Sequence, residues 1–230
     1  MRYFLPILRP GVAIRSRGLI AALFGKRGGD AGVHPAERFG GLPLGLPADR
    51  WPLCAECGKS QSLLAQLVHH SDRLDLGREG RVLFAFQCNH DPGMCETWDQ
   101  NSGANAAFVL EPEEIGTAET PAPADEPPLD PAAFVTGWEE AEDGLTPEQA
   151  AAFFSDETLA ALGDDIPDEQ EARTHLGGVP CWVQSADEAP SGWRFLGQLA
   201  DFYAYPEDEA PQAHNFGDMG IAYLFAKDEG

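Results

Sequence analysis

Apolar residues gather in short runs bounded by glycine, proline and polar clusters. The clearest are Leu63-Leu64-Ala65-Gln66-Leu67, Val82-Leu83-Phe84-Ala85-Phe86, Phe195-Leu196-Gly197-Gln198-Leu199 and Ile221-Ala222-Tyr223-Leu224-Phe225. Runs this short, rich in Val, Phe, Tyr and Leu, predict strands. A helix is predicted only where the pattern changes. Thr146-Pro147-Glu148-Gln149 is a capping box with proline at the first helical position. Ala150, Phe153, Phe154, Leu159 and Leu162 supply its apolar face, Ser155-Asp156-Glu157 offers a second cap, and Gly163 offers a stop. One helix or two short ones both satisfy this pattern. Near the N-terminus, Ile14, Leu19, Ile20, Leu23 and Phe24 alternate with Arg15, Arg17, Lys26 and Arg27, which predicts a short basic amphipathic helix docked on its own domain. An acidic membrane surface is the alternative site for such a helix.

The runs fall into a repeat of three parts. Gly40-Gly41-Leu42-Pro43 returns as Gly177-Gly178-Val179-Pro180, the run around Gln66 as the run around Gln198, and Val82 to Phe86 as Ile221 to Phe225, in the same order. Paired glycines followed by X-Pro make a tight turn into an extended segment. Three matches in one order predict two similar half-domains, an internal duplication. The expected boundaries are a basic N-terminal segment (1–38), a first half (39–110), an acidic insert (111–172) and a second half (173–230), with 39–230 one compact unit. Residues 111–131, EPEEIGTAETPAPADEPPLDP, contain little to bury and read as an extended loop or linker.

The chain is 230 residues long and 43% hydrophobic, the composition of a globular protein. No apolar run approaches the roughly 18 to 20 residues that span a bilayer. The apolar stretch after Arg2 is broken by Pro6 and lacks a small-residue cleavage signal, so it makes a poor secretory peptide and a cytoplasmic location is expected. Fifteen Lys/Arg against 38 Asp/Glu give a net charge of −23. The charge is divided unevenly: residues 1–110 hold 12 basic and 10 acidic residues, and residues 111–230 hold 3 and 28. So acidic a C-terminal half repels phosphate backbones, which makes nucleic acid an unfavoured partner and a basic protein the favoured one.

Cysteines are the strongest chemical signal. Cys54-Ala55-Glu56-Cys57-Gly58 has the spacing of a zinc knuckle, two thiolates able to grip one tetrahedral ion with a glycine permitting the turn. Cys88 and Cys95 supply a second pair with a looser gap, in which His90 is an alternative ligand. Two disulfides are the competing reading, and they need an oxidising compartment. Four thiolates leave no open position for water or substrate, so the zinc is expected to be structural. Cys181 reads as a small buried residue. Gln66 and Gln198 occupy equivalent places in apolar runs, where a buried amide requires backbone partners such as the glycine turn. Together with His175 and Asp218 they are also candidates to line a ligand pocket between the halves. His175 and His214, with Asp218, could form an acid/base set, but no nucleophile accompanies them. Nucleotide-binding, serine-hydrolase and zinc-protease motifs are missing; Gly58-Lys59-Ser60 lacks the upstream glycine of a phosphate loop, having Leu53 there.

Phe39-Gly40-Gly41-Leu42-Pro43, Trp51-Pro52-x-Cys54-x-x-Cys57-Gly58, Phe86-Gln87-Cys88-Asn89, Cys95-Glu96-Thr97-Trp98 and Phe216-Gly217-Asp218-x-Gly220 together resemble the YwqG-like bacterial family of unknown function, over about residues 39–227. A weaker resemblance, limited to GG-x-P, Cys-x-x-Cys-Gly and the run ending in glutamine, links the chain to the C-terminal domain of programmed cell death protein 2. The resemblance implies an α+β, predominantly β fold of two similar halves and carries over no catalytic residue. It implies no settled activity, though the relatives it points to suggest chaperone-like or immunity-like work; the closed thiolate site, the uneven charge and the missing catalytic motifs make a protein-interaction module the first expectation. A pocket enzyme or small-ligand binder is the second expectation and an RNA-processing factor the third.

Overall fold

The computed structural model describes residues 1–10, 37–91, 93–163, 172–201, 214–217 and 220–227. The predicted basic helix lies outside the described residues, as does Asp218. The structure is mostly β. Nine strands, β1 (Arg2–Pro10), β2 (Arg38–Phe39), β3 (Ser62–Val68), β4 (Val82–Gln87), β5 (Asn105–Leu110), β6 (Ala133–Glu142), β7 (His175–Gly177), β8 (Trp193–Ala200) and β9 (Ile221–Lys227), form one sheet. Its order is β5-β4-β3-β2-β6-β1-β7-β8-β9, and every neighbouring pair is antiparallel.

Every residue of β3 and β4 is buried, so alternate side chains serve two cores on opposite faces of the sheet. Leu64, Leu83 and Ala85 join Leu8, Phe39, Val135, Leu176, Leu199 and Leu224 in a core that draws on both ends of the chain. Leu63, Val82, Phe84 and Phe86 face the other way, into a core with Leu44, Leu46, Trp51 and Leu110. The capping box starts a helix as expected: Thr146 accepts a hydrogen bond from the Gln149 amide at the head of α1 (Pro147–Ala152). The helical pattern resolves into two short helices. The second, α2 (Asp156–Leu162), ends at Gly163, and the pair lays Ala150, Phe153 and Leu159 against Leu145 and Val179.

The two halves share geometry at the residues that repeat. Arg38 stands opposite Gln66 and Phe39 opposite Ala65; in the same way His175 stands opposite Gln198 and Leu176 opposite Gly197. The β3–β4 pairing skips one residue between Leu63 and Ala65, and the β8–β9 pairing skips one between Phe195 and Gly197. Gly40 and Gly41 have φ of 60° and 65°, and Gly177 and Gly178 have 72° and 65°, the left-handed turn that glycine alone takes without strain.

The sheet reaches outside the two expected halves. In the segment 1–38, expected as a basic segment with a docked helix, Arg2–Pro10 is a central strand, paired along its length with β6 and at Tyr3 and Phe4 with β7. Its apolar stretch looked too short and too interrupted to assign, but β1 needs only Phe4 and Leu8 facing inward. Pro6, facing Trp138, does not prevent the pairing. The acidic insert likewise contains β6, which joins β1 to β2. Its outer end, Glu139 to Glu142, is acidic because it is exposed, and that masked the strand pattern of Ala133 and Val135. Each half is thereby completed by the other's leading strand: β1 docks on β7, and β6 docks on β2.

Residues 111–131 are extended, but they are pinned and not a free linker. The Thr120 amide donates to the Pro43 carbonyl, Thr120 Oγ1 donates to the Leu46 carbonyl, and the Gly116 amide donates to Gly45. Asp125 accepts from the Ser60 amide. Little apolar surface is needed when the backbone of the first half supplies the partners.

Candidate metal centre

The loop after Trp51 is closed by a bridge between Leu53 and Ser60. Inside it the Cys54 amide donates to the Lys59 carbonyl at 2.8 Å and the Gly58 amide to the Cys54 carbonyl at 2.9 Å. Gly58, at φ +71°, makes the reversal. The amides of Cys57 and Glu56 are turned onto the Cys54 sulfur. Cys88 follows β4 and is fixed by its amide, which donates to the Ala104 carbonyl at 2.8 Å. The longer gap to Cys95 is taken up by a turn in which the amides of Met94 and Cys95 both donate to the Asp91 carbonyl at 3.1 Å, with Gly93 at φ +82°.

These loops bring Cys54, Cys57, Cys88 and Cys95 together with all four sulfurs within 4.8 Å of one another. The Cys57 and Cys88 sulfurs are 3.6 Å apart. Four sulfurs at about 2.3 Å from a tetrahedral ion would be about 3.8 Å apart, so the cluster has the dimensions of a metal site. Three of the four thiols are buried and Cys57 lies at the outer rim. All are free thiols, with no disulfide among them. His90 does not belong to the cluster: its Nε2 lies 3.8 Å from Asp125, and its backbone amide serves the Cys88 sulfur.

Burial pushes the Cys88 thiol up to about 11, with the neighbouring thiols of Cys57 and Cys54 adding to the rise. Cys95 is pushed up by burial and by the three other thiols. For Cys54 burial acts in the same sense, but the amides of Cys57 and Glu56 outweigh it and bring the thiol below its ordinary value. Four thiolates gathered this closely repel one another, and a divalent cation is what makes the charged form favourable. Among the described residues, the buried cluster around the sulfurs consists of the cysteines and Ala104.

Leu53, Met94 and Trp98 flank the cysteines in sequence, and they are 61%, 71% and 70% exposed. The same loops carry Glu56, Asp91, Glu96 and Asp99, all exposed or partly so. Cysteine spacing alone gave no sign of this apolar trio; its sequence signal is the placement of large apolar residues directly beside the ligands of a closed site.

Of the remaining predicted polar residues, Gln66, Gln198 and His175 are described, and each is engaged by backbone. Gln66 is fully buried and bonded twice to Leu44, accepting from its amide at 2.8 Å and donating to its carbonyl at 2.9 Å. Gln198 accepts from the Cys181 amide at 2.8 Å and donates to the Arg173 carbonyl at 2.9 Å. Leu44 and Cys181 each follow their glycine–proline turn by one residue, so the glutamines act as matching clamps on those turns. Four strands lie between β3 and β8 in the sheet, and each glutamine is clamped to its own turn.

His175 is buried between the rings of Tyr3 and Phe195, and Nδ1 donates to the Gly177 carbonyl at 3.0 Å. Burial lowers its pKa to about 4, against the smaller opposing effects of Gly177 and Asp143. The unfolded chain binds the proton near 6.5 and the folded one does not, so stability is whole above pH 6.5 and falls as the pH drops toward 4. The loss expected from this group is about 3 kcal/mol. Denaturant titrations at pH 7 and pH 4.5 should show a smaller difference for His175→Phe than for the natural chain.

His214 Nδ1 pairs with Asp130 at 2.8 Å, and the other oxygen of Asp130 accepts from Asn89 at 3.1 Å. Gln87 donates to the Asn215 carbonyl. This network ties the segment before β9 to the base of the cysteine loops. Asp130 was missed in the sequence because it sits among the residues read as a solubilising linker. The chain matches no family model, and no curated protein matches it.

Proposed function

We propose that this protein is a non-catalytic, zinc-stabilised interaction module that binds a basic protein, in a chaperone-like or immunity-like role in the cytoplasm. The observation that carries the reading is the surface built by the cysteine loops. A closed set of four thiolates holds Leu53, Met94 and Trp98 in solvent amid Glu56, Asp91, Glu96 and Asp99. Exposed large apolar side chains rimmed by charge suit a protein partner, and carboxylates around them favour lysine and arginine. Zinc is the natural occupant because Cys-x-x-Cys-Gly loops with amides turned onto sulfur match its tetrahedral thiolate chemistry. Membership of the YwqG-like family and an origin by internal duplication belong to the same reading; the paired registers, bulges and glutamine clamps support the duplication.

The enzyme reading is weaker, because the side chains of Gln66, Gln198 and His175 are each occupied by backbone partners. The test is capture from native lysate by the full chain and by the double variant Met94→Ser/Trp98→Ser. Basic proteins should be recovered by the natural chain at low salt, reduced at moderate salt and lost with the variant. Recovery of no protein, or of the same proteins by both, would overturn the proposal.

A further inference from the structure

The matching halves differ at one edge. In the first half β4 is flanked by β3 on one side and β5 on the other, from Val82 opposite Leu110 to Gln87 opposite Asn105. In the second half β9 takes the place of β4, with Ala222 and Leu224 in the shared core where β4 has Leu83 and Ala85. Beyond β9, among the described residues, no strand follows. Its outer backbone groups form the sheet's edge. The side chains of Ile221–Lys227 offer almost no protection against pairing: one lysine at the end, no proline and no inward charge.

We infer that the open edge of β9 is a strand-addition site that takes an extended, basic segment of a partner protein, antiparallel, in the place that β5 fills on β4. Backbone hydrogen bonding along the strand supplies the affinity, as in other edge-recognition modes. The internal template defines what the occupant must bring. On β4, Phe108 of the added strand covers the aromatic face, with ring centroids 6.0 Å from both Phe84 and Phe86. On β9 that face is already covered by Trp182, whose ring lies 4.6 Å from Tyr223 and 6.5 Å from Phe225. The segment therefore needs extended backbone with small or β-branched side chains, and no aromatic of its own.

Charge selects its sign. Residues 173–230 hold 3 basic and 9 acidic residues, a net of −6, so lysine or arginine flanking the segment is favoured. A second copy of this chain, at −23, is repelled. The inference rests on the proposed interaction role only for this charge preference; the edge itself follows from the sheet.

The experiment is hydrogen exchange on the full, metal-loaded chain with three synthetic peptides: an alternating Val/Thr strand flanked by lysines, the same strand flanked by glutamates, and the lysine form with alternate amides N-methylated. The lysine peptide at ten times its dissociation constant should slow exchange of β9 amides about tenfold. The other two should leave it unchanged. The double variant at Met94 and Trp98 should retain this protection, which separates the edge from docking on the cysteine loops. Slow exchange at β9 before any peptide is added, equal protection by the N-methylated peptide, or protection that tracks self-association in sedimentation would each overturn the inference. A negative result here leaves capture through Met94 and Trp98 intact.

Discussion

Cys88→Ser is expected to abolish stoichiometric zinc and to lower stability by more than about 4 kcal/mol, the range reached when a structural metal is lost. The natural chain should carry about one zinc, and a chelator should reproduce the variant's effect. The physical basis is the poverty of the cysteine loops in anything else to hold them. Among the described residues, their buried cluster adds only Ala104 to the cysteines. Backbone bonds such as Ala55 to Gly103 and Cys88 to Ala104 join the loops to one another. Exchange should accelerate first over residues 51–60 and 88–104, with β8 and β9 following only at higher denaturant. Metal analysis and denaturant midpoints measured together decide the matter: a metal-free chain with the natural midpoint would remove the metal from the stability argument.

Glu37→Ala should cost about 3–5 kcal/mol, the usual consequence of leaving half of a buried ion pair behind. The Glu37 side chain is wholly buried, and Arg73 Nη2 lies 3.0 Å from both its oxygens. The same carboxylate accepts from the Val68 amide at 3.2 Å and from Trp138 Nε1 at 2.9 Å, while the Arg73 guanidinium lies 5.0 Å over the Trp138 ring. One carboxylate thus links the end of β3, the loop after it and β6. Glu37→Leu combined with Arg73→Met should recover much of the loss, because it removes both charges together. Urea midpoints for the two single variants and the double complete the cycle, and strict additivity would show that the pair is not coupled.

Neither Glu37 nor Arg73 could be singled out in the sequence. Their partners lie 36 and 101 residues from Glu37, and no local pattern marks a carboxylate that the fold will bury. The features legible in advance were local or repeated. The capping box at Thr146 fixed where α1 begins, because its chemistry is complete within four residues. The glycine–proline turns and the runs around Gln66 and Gln198 were legible because each occurs twice, and the buried amides found the backbone partners that burial demands. The cysteine cluster was legible as chemistry in advance of any structure. His90 stands as an alternative to a cysteine in the sequence because proximity to Cys88 says nothing of which way the ring turns; the cluster is formed by the four cysteines. β1 and β6 were missed for a different reason. Both are half-exposed strands in which few inward residues suffice, and each pairs with the half it does not belong to by sequence. The apolar trio was overlooked because an exposed Met or Trp carries meaning only once its exposure is known.

The exchange of leading strands has a consequence for synthesis. Arg2–Pro10 is synthesised well before its partners, Ala133–Glu142 and the turn at Leu176 and Gly177. At about 5–20 residues per second, roughly ten to thirty seconds pass before β6 exists to receive it. During that interval β1 is a bare strand with both edges open, and the β2–β5 end can assemble around its four cysteines with one flank unclosed. Neither half can finish before the other begins, so the sheet closes only after strands of both halves have been made.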